Sequence, residues 1–318
     1  MKMEILILCL SVLALILFPA EGTKGAVEGI RLCGTALIPA LLPFLLITRL
    51  LSERLPLPKN KKNFIGISSV GWFGILMSFI GGYPTGVATT VSLYKKGKLS
   101  KKEAEDLIPL CNNSGPGFFV GILGVGLFGS VQKGLLLYGI HVLTALWGIV
   151  VFPREKGYCV KIKPMIREEK KTFPQRFQEA LSDSCQTMVR ICGLVILFSL
   201  LRGLMEAVIP SCLTRYMGLL ELSSGLLVTG KEDLLLWAVF MGWGGLCVHM
   251  QAMSLWQEAR LKVHGYFPRK LLHGAVSGLC VMALNHRYWY VVGIYFIICP
   301  VFSLFYKKWG RKKGHLAL

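Results

Sequence analysis

A chain of 318 residues that is 53% hydrophobic and only 17% charged is too apolar for a soluble domain, where charged residues make up about a quarter. Its net charge of +19, from 36 Lys and Arg against 17 Asp and Glu, falls in short clusters between apolar runs. No aromatic-interleaved basic surface is present, which excludes nucleic acid as a partner and makes the lipid bilayer the expected one.

Residues 1–20, MKMEILILCLSVLALILFPA, form the first apolar run. No small-residue cleavage site follows Pro19, so an N-terminal transmembrane anchor over 1–25 is expected rather than a cleaved signal peptide. A second span covers 26–51, where Pro39 and Pro43 lie four apart on one face and should kink the helix. Beyond the basic cluster Lys59–Lys62, the run FIGISSVGWFGILMSFI stops at Gly81-Gly82-Tyr83-Pro84-Thr85-Gly86 and resumes as VATTVSLY. The basic connector Lys95–Lys102 leads into an apolar segment, 107–128, that breaks at Cys111-Asn112-Asn113-Ser114-Gly115-Pro116-Gly117. Residues 134–152 span once more and close a first membrane repeat, 26–152.

The polar, basic, proline-bearing stretch 153–175 reads as a cytoplasmic connector at the midpoint. A second membrane repeat, 176–306, then follows, with a basic cytoplasmic tail at 307–318. Arg190-Ile191-Cys192-Gly193 matches Arg31-Leu32-Cys33-Gly34 at an offset of 159, and Gly244-Gly245 parallels Gly81-Gly82 at an offset of 163. A basic connector (258–270), a short apolar segment (271–284) and a final span (288–306) complete the order. Landmarks repeating in sequence at a nearly constant offset predict a duplicated unit, a recurring plan in transporters. If every basic loop is cytoplasmic, 64–94 must be a re-entrant hairpin and the two R-[LI]-C-G helices run antiparallel. Strict inversion instead places the 258–270 loop on the opposite side. The charge bias is the rule followed for the loops.

Glycine and proline this dense are poor helix interior, since Pro lacks an N–H and Gly costs about 1 kcal/mol against Ala. In hydrocarbon the freed backbone groups must be covered by protein or by a polar cavity. At Gly81, Gly82, Tyr83, Pro84, Thr85 and Gly86, the start of the helix near Thr85 offers N–H groups and a positive dipole end to an anion. The alternative is close helix packing through Gly82-x-x-x-Gly86. Asn112, Asn113, Ser114 and Gly115 place two amides and a hydroxyl at membrane depth, where unsatisfied polar groups are expensive. They suit a planar carboxylate or heterocycle, or else bond between helices. Asn112-Asn113-Ser114 also fits a glycosylation sequon, discounted because it lies in an apolar segment. The counterparts in the second half are Gly244 and Gly245 with His249 and Gln251, and the stretch Glu221, Ser223 and Ser224, which is a re-entrant tip or an external loop.

Glu28, Asp183, Glu206 and Glu221 are the acidic residues near apolar runs able to carry a coupling proton. The run Gly124-Val-Gly126-Leu-Phe-Gly129 matches a dinucleotide fingerprint only formally, without strand–helix alternation around it. Ten scattered cysteines form no C-x-x-C pair, so no disulfide framework or metal site is expected. No nucleophile–base constellation is present either. The expectation is therefore an all-α polytopic membrane protein, a duplicated bundle with broken or re-entrant helices, which is not an enzyme and takes no cofactor. Its predicted cargo is a small anionic substrate, and a homo-oligomer is compatible with the sequence.

The segments IPALLPF, G-Y-P-T-G, I-P-L-C-N-N-S-G-P, E-L-S-S-G and G-G-L-C-V-H-M-Q carry a resemblance over about 26–305. The chain resembles the sporulation integral membrane proteins of endospore-forming Firmicutes, which are related to the nucleoside-recognition (Gate) domain membrane proteins. Within that group the chain resembles the stage V sporulation dipicolinic acid transporters. The resemblance implies a multi-pass carrier in the cell membrane or outer forespore membrane, with a small, planar, anionic or nucleoside-like substrate. Cys247-Val248-His249 stands where a polar pair is expected in the late motif. The alternative, from another class, is a non-transporting sporulation membrane scaffold, which needs the loops but no polar cavity.

Overall fold

Proline and glycine decide where the helices of this chain end. The computed structural model describes residues 2–54, 64–151, 172–223, 225, 229 and 233–285. The basic clusters at 59–62 and 154–171, Ser224, the final span 288–306 and the tail 307–318 lie outside the described residues.

Among the described residues the regular structure is helical, apart from one isolated bridge between Phe64 and Ile67. Helix α1 covers Lys2–Leu17 and α2 covers Pro19–Leu32. The next turn, Cys33–Leu37, is π-helical, and α3 continues over Ile38–Arg54. The kink expected from the prolines takes this form because Pro39 has no N–H to give and its ring crowds the preceding turn, which widens to accommodate it. Helices α4 (Ser69–Gly81) and α5 (Thr85–Lys95) form a hairpin, and α6 covers Lys101–Cys111. A wide π-helical segment follows over Gly117–Leu127, then α7 over Val131–Val151. In the second half come α8 (Phe173–Glu206), the single turn α9 (Ser211–Thr214), α10 (Leu234–Trp243), α11 (Gly245–Glu258) and α12 (Tyr266–Asn285). By length and composition, Pro19–Leu51, Val131–Val151, Phe173–Glu206 and Leu234–Glu258 can each cross a membrane. The chain is an all-α membrane protein.

Helices α2 and α3 run antiparallel to α8, because the residues that meet appear in opposite order along the two. Gly25 packs on Gly203, Gly29 on Ser199, Cys33 Sγ reaches Cys192 O at 3.9 Å, and Arg49 pairs with Asp183. The small residues let the backbones approach closely, a packing mode suited to lipid. Arg202, 3% exposed, ties this pair together by bonding both Glu28 and Glu206. Three of the four acids nominated to carry a proton are thus ion-pair partners of arginines. The two R-[LI]-C-G segments lie against each other.

The α4–α5 hairpin folds back on itself, with Gly86 against Ser78, and its open end is tied to α6. Ser68 caps α4 by accepting from Gly71 N at 3.0 Å, and its own N–H donates to Glu103 Oε1 at 2.9 Å. Ser100 caps α6 in the same way, accepting from Glu103 N at 3.1 Å. The two helices form a hairpin, the shape that the cytoplasmic placement of every basic loop requires of this segment.

The two connectors after α5 and α11 meet each other. Lys95 Nζ pairs with Glu258 Oε1 at 2.8 Å, and the Lys262 N–H donates to Glu105 Oε1 at 2.8 Å. The Arg269 guanidinium donates to Asp106 O at 3.1 Å. Both basic connectors therefore lie on one side, which favours the charge rule over strict inversion for this loop. One expectation fails here. The cluster Arg260–Lys270 is not wholly a loop, since α12 begins at Tyr266 and buries Lys270 to 1% exposure.

Candidate functional site

The two predicted breaks meet inside the protein. Helix α4 ends at Gly81, the Tyr83–Pro84 peptide is cis, and α5 begins at Thr85. Helix α6 ends at Cys111, and helical turns resume at Gly117. Gly82 has φ +70°, and a Cβ placed on it would stand 2.6 Å from Gly115 N. A Cβ on Gly115 would in turn stand 2.9 Å from Gly82 N. Two glycines are needed for the breaks to touch.

At Gly86 the packing alternative holds. Its N–H donates to Gly82 O at 3.3 Å, and a side chain there would collide with Cys111 O and Ser78. Pro84 accepts from Ala88 N at 3.0 Å, and Thr85 is buried. The first turn of α5 is therefore partly engaged within the hairpin, not fully presented to a solute.

The second break supplies polar groups. Asn112, Asn113 and Ser114 are each at most 1% exposed. Asn113 Nδ2 donates to Leu110 O at 2.6 Å and to Ser78 Oγ at 3.1 Å. The Ser114 N–H donates to His141 Nε2 at 3.2 Å. Asn112 Nδ2 donates to the Tyr266 hydroxyl, which lies 2.9 Å from His249 Nδ1. Lys270 Nζ donates to Asn112 O at 2.7 Å and contacts His273 Nδ1 at 3.3 Å, while His273 Nε2 sits 3.1 Å from His141 O.

One assignment of protons satisfies this whole chain of contacts. Tyr266 accepts from Asn112 and so donates to His249 Nδ1, leaving the His249 proton on Nε2. His273 accepts from Lys270 at Nδ1 and donates from Nε2. His141 accepts at Nε2 and carries its proton on Nδ1. Five atoms around the junction then find no partner within the described protein: Asn112 Oδ1, Asn113 Oδ1, Ser114 Oγ, His141 Nδ1 and His249 Nε2. Buried polar groups are nearly always bonded, so such a concentration is unusual.

The second half reaches the junction through two tyrosines. Tyr83 donates to Met241 O at 3.1 Å, next to the break at Gly244-Gly245, whose φ values are +99° and +75°. A Cβ on Gly244 would lie 3.4 Å from Tyr83 Oη and 3.5 Å from His249 Cε1. Tyr266 is the other link. His249 belongs to the junction, its ring held edge-on by Trp243 with centroids 4.3 Å apart.

Glu221, Ser223 and Gly245 form a separate corner. Glu221 Oε1 accepts from Ser223 N at 2.8 Å, and Gly245 abuts Leu220 O and Leu222 N. Gln251 bonds back to Cys247 Sγ at 3.5 Å along its own helix. His249, by contrast, bonds into the junction through Tyr266. Among the described residues no group of side chains is arranged to hold a metal.

Two crevices flank the second break. One, about 30 Å³, is lined by Phe44, Gly82, Tyr83, Gly115 and Phe118. The other, about 20 Å³, is lined by Asn113, Thr144, Arg269, Lys270 and His273. Each has room for one or two water molecules, which need roughly 10–15 Å³ apiece. The polar side chains of the second break are themselves buried. Sequence reasoning missed Tyr266, Lys270, His141 and His273. The first two stand where the local pattern reads as a connector, and a histidine within the apolar run 134–152 was the visible signal for the third.

Fold and site together define an all-α membrane protein with an enclosed polar junction between interrupted helices. Among characterised proteins, the chain is similar to the sporulation integral membrane protein YlbJ of Bacillus subtilis (strain 168). The two are 23% identical, over 84% of this chain and 78% of that protein. No protein-family model matches the chain, and no solved structure matches it.

Proposed function

We propose that this protein is a secondary carrier of a small organic anion in the membranes of a sporulating cell, with dipicolinic acid as its cargo at the outer forespore membrane. The observation that carries this reading is the junction itself: two backbone interruptions touch at Gly82 and Gly115, beside five buried polar atoms without protein partners. Irregular backbone at membrane depth is tolerated only where protein or a polar cavity covers it, and carriers place solutes at such points. The similarity to a sporulation membrane protein supports the setting, and the motifs' resemblance to the stage V sporulation dipicolinic acid transporters supports the cargo.

The duplication belongs to this proposal. Interrupted helices at Gly81–Thr85 and Gly244-Gly245 meet through Tyr83, a contact that supports two repeats sharing one site. The second repeat differs in that α12 runs unbroken where the first has Asn112–Gly117.

Loss of the protein is expected to lower the dipicolinate content of spores. Asn112→Ala and Asn113→Ala are expected to abolish dipicolinate uptake into liposomes while membrane expression persists. A purely structural scaffold requires the opposite pattern, with these two variants silent and substitutions in the 153–175 connector harmful. Unchanged uptake in both alanine variants overturns the carrier reading.

A further inference from the structure

Lys270 is a buried amine with no acidic partner among the described residues. It lies in the second turn of α12, 1% exposed. An ammonium has three N–H donors, and the partners of this one, Asn112 O and the His273 ring, are both neutral. None of the ion pairs among the described residues includes it. Arg202 shows the contrast, since that buried cation sits between two carboxylates. An ion taken out of water without an opposite charge is expensive, so buried charges are normally paired.

Among the described residues, the crevice beside Lys270 has no acidic side chain in its lining. The proton assignment leaves the neighbouring His141 Nδ1–H as a further donor without a partner. The available donors, the Lys270 amine and His141 Nδ1, call for an acceptor such as a carboxylate oxygen.

We propose that the Lys270 ammonium anchors one carboxylate of the transported solute, which enters the crevice between α6, α7 and α12. This rests on the carrier reading above and adds the residue that makes the site select anions. Asn113 Oδ1 also lines this region and is an acceptor, so the carboxylate arrives with a water molecule or beside an N–H or O–H of the solute. His273 is a positioning residue: it holds the ammonium from one side while its other nitrogen is fixed on His141 O.

The experiment compares acids with neutral amides of the same shape, on the purified full-length protein in detergent. Dipicolinate is paired with pyridine-2,6-dicarboxamide and benzoate with benzamide, and binding is read by calorimetry. Wild type is expected to prefer the acids by about tenfold or more, the scale of a charge-assisted bond. Lys270→Gln keeps a donor for Asn112 O but no charge, and is expected to bring the preference within about twofold, as is Lys270→Met. Lys270→Arg should keep it. Removing the uncompensated charge is expected to leave the melting temperature of the ligand-free protein unchanged or raised, whereas a structural lysine would lower it. A preference that survives in Lys270→Gln, or a wild type that binds no acid better than its amide, overturns the assignment. Binding is measured apart from movement. A protein that binds acids through Lys270 but carries none into liposomes sinks the carrier reading alone. Uptake untouched by Lys270→Gln sinks the Lys270 assignment alone.

Discussion

The side chain that joins the two halves most directly is Tyr266, whose hydroxyl takes a bond from Asn112 Nδ2 and meets His249 Nδ1. Removing that oxygen leaves a buried amide donor and a buried imidazole nitrogen without partners, at about 1–3 kcal/mol for each unsatisfied group. Tyr266→Phe is therefore expected to lower stability by roughly that amount or more, measured by thermal unfolding in detergent, and to slow dipicolinate uptake. Trp256→Phe, which alters a ring packed on Tyr266 but touches none of these bonds, should cost less. The contrast shows which site residues a sequence can reveal. Asn112, Asn113 and Ser114 stand out because polar residues beside glycine and proline in an apolar run have no ordinary explanation. Tyr266 and Lys270 do not, because Gly265-Tyr-Phe-Pro-Arg-Lys270 has the composition of a surface turn. Pro268 reinforces that reading, yet it falls in the first turn of α12, where a missing N–H costs nothing. Only packing against α6 turns this segment into an interior one.

Between elements, contact depends on glycines that act as spacers rather than as hinges. Gly86 is the clearest case: it lets α5 lie against the C-terminal carbonyl of α6, and a methyl group there would collide with Cys111 O and Ser78. Gly139, in the middle of α7, has open space around its Cα. Gly86→Ala is expected to destabilise by about 1–3 kcal/mol or to prevent assembly, the range for overpacked interiors. Gly139→Ala should be neutral or stabilising by up to about 1 kcal/mol through helix propensity. Thermal unfolding of the two purified variants, one methyl group apart from wild type, separates packing from intrinsic preference. Equal effects would mean that the α5–α6 contact does not limit stability. Here the sequence was informative in part. The spacing Gly82-x-x-x-Gly86 offered both a contact face and a helix start for an anion, and the structure realises the contact at both glycines. What decides between the two is the partner chain segment, Cys111–Gly115, which lies outside the local pattern.

At the scale of the whole molecule, the arrangement follows from where the connectors meet. Lys95 pairs with Glu258 and Lys262 bonds Glu105, so the turns after α5 and α11 share one side. Helix α11 ends on that side. The continuous run Leu234–Glu258 is long enough to cross, so its start lies on the other side, where Arg215 pairs with Asp233. By charge bias the basic connectors are expected in the cytoplasm. Two rules conflicted in the sequence because a helix–break–helix pattern reads alike whether the chain turns back or continues. The α4–α5 pair turns back, with Gly86 on Ser78, whereas α10 and α11 run on past Gly244. The two cases differ in tertiary contacts, not in residue type. A cysteine-free background tests the result with single reporters. Cys212, natively exposed, should react with an impermeant maleimide only from outside the cytoplasm. His264→Cys, in the exposed turn before α12, should react only from the cytoplasmic face of inverted vesicles. Labelling of both from the same face would put α10 and α11 in a second hairpin, and the Tyr83–Met241 link would then join two hairpins.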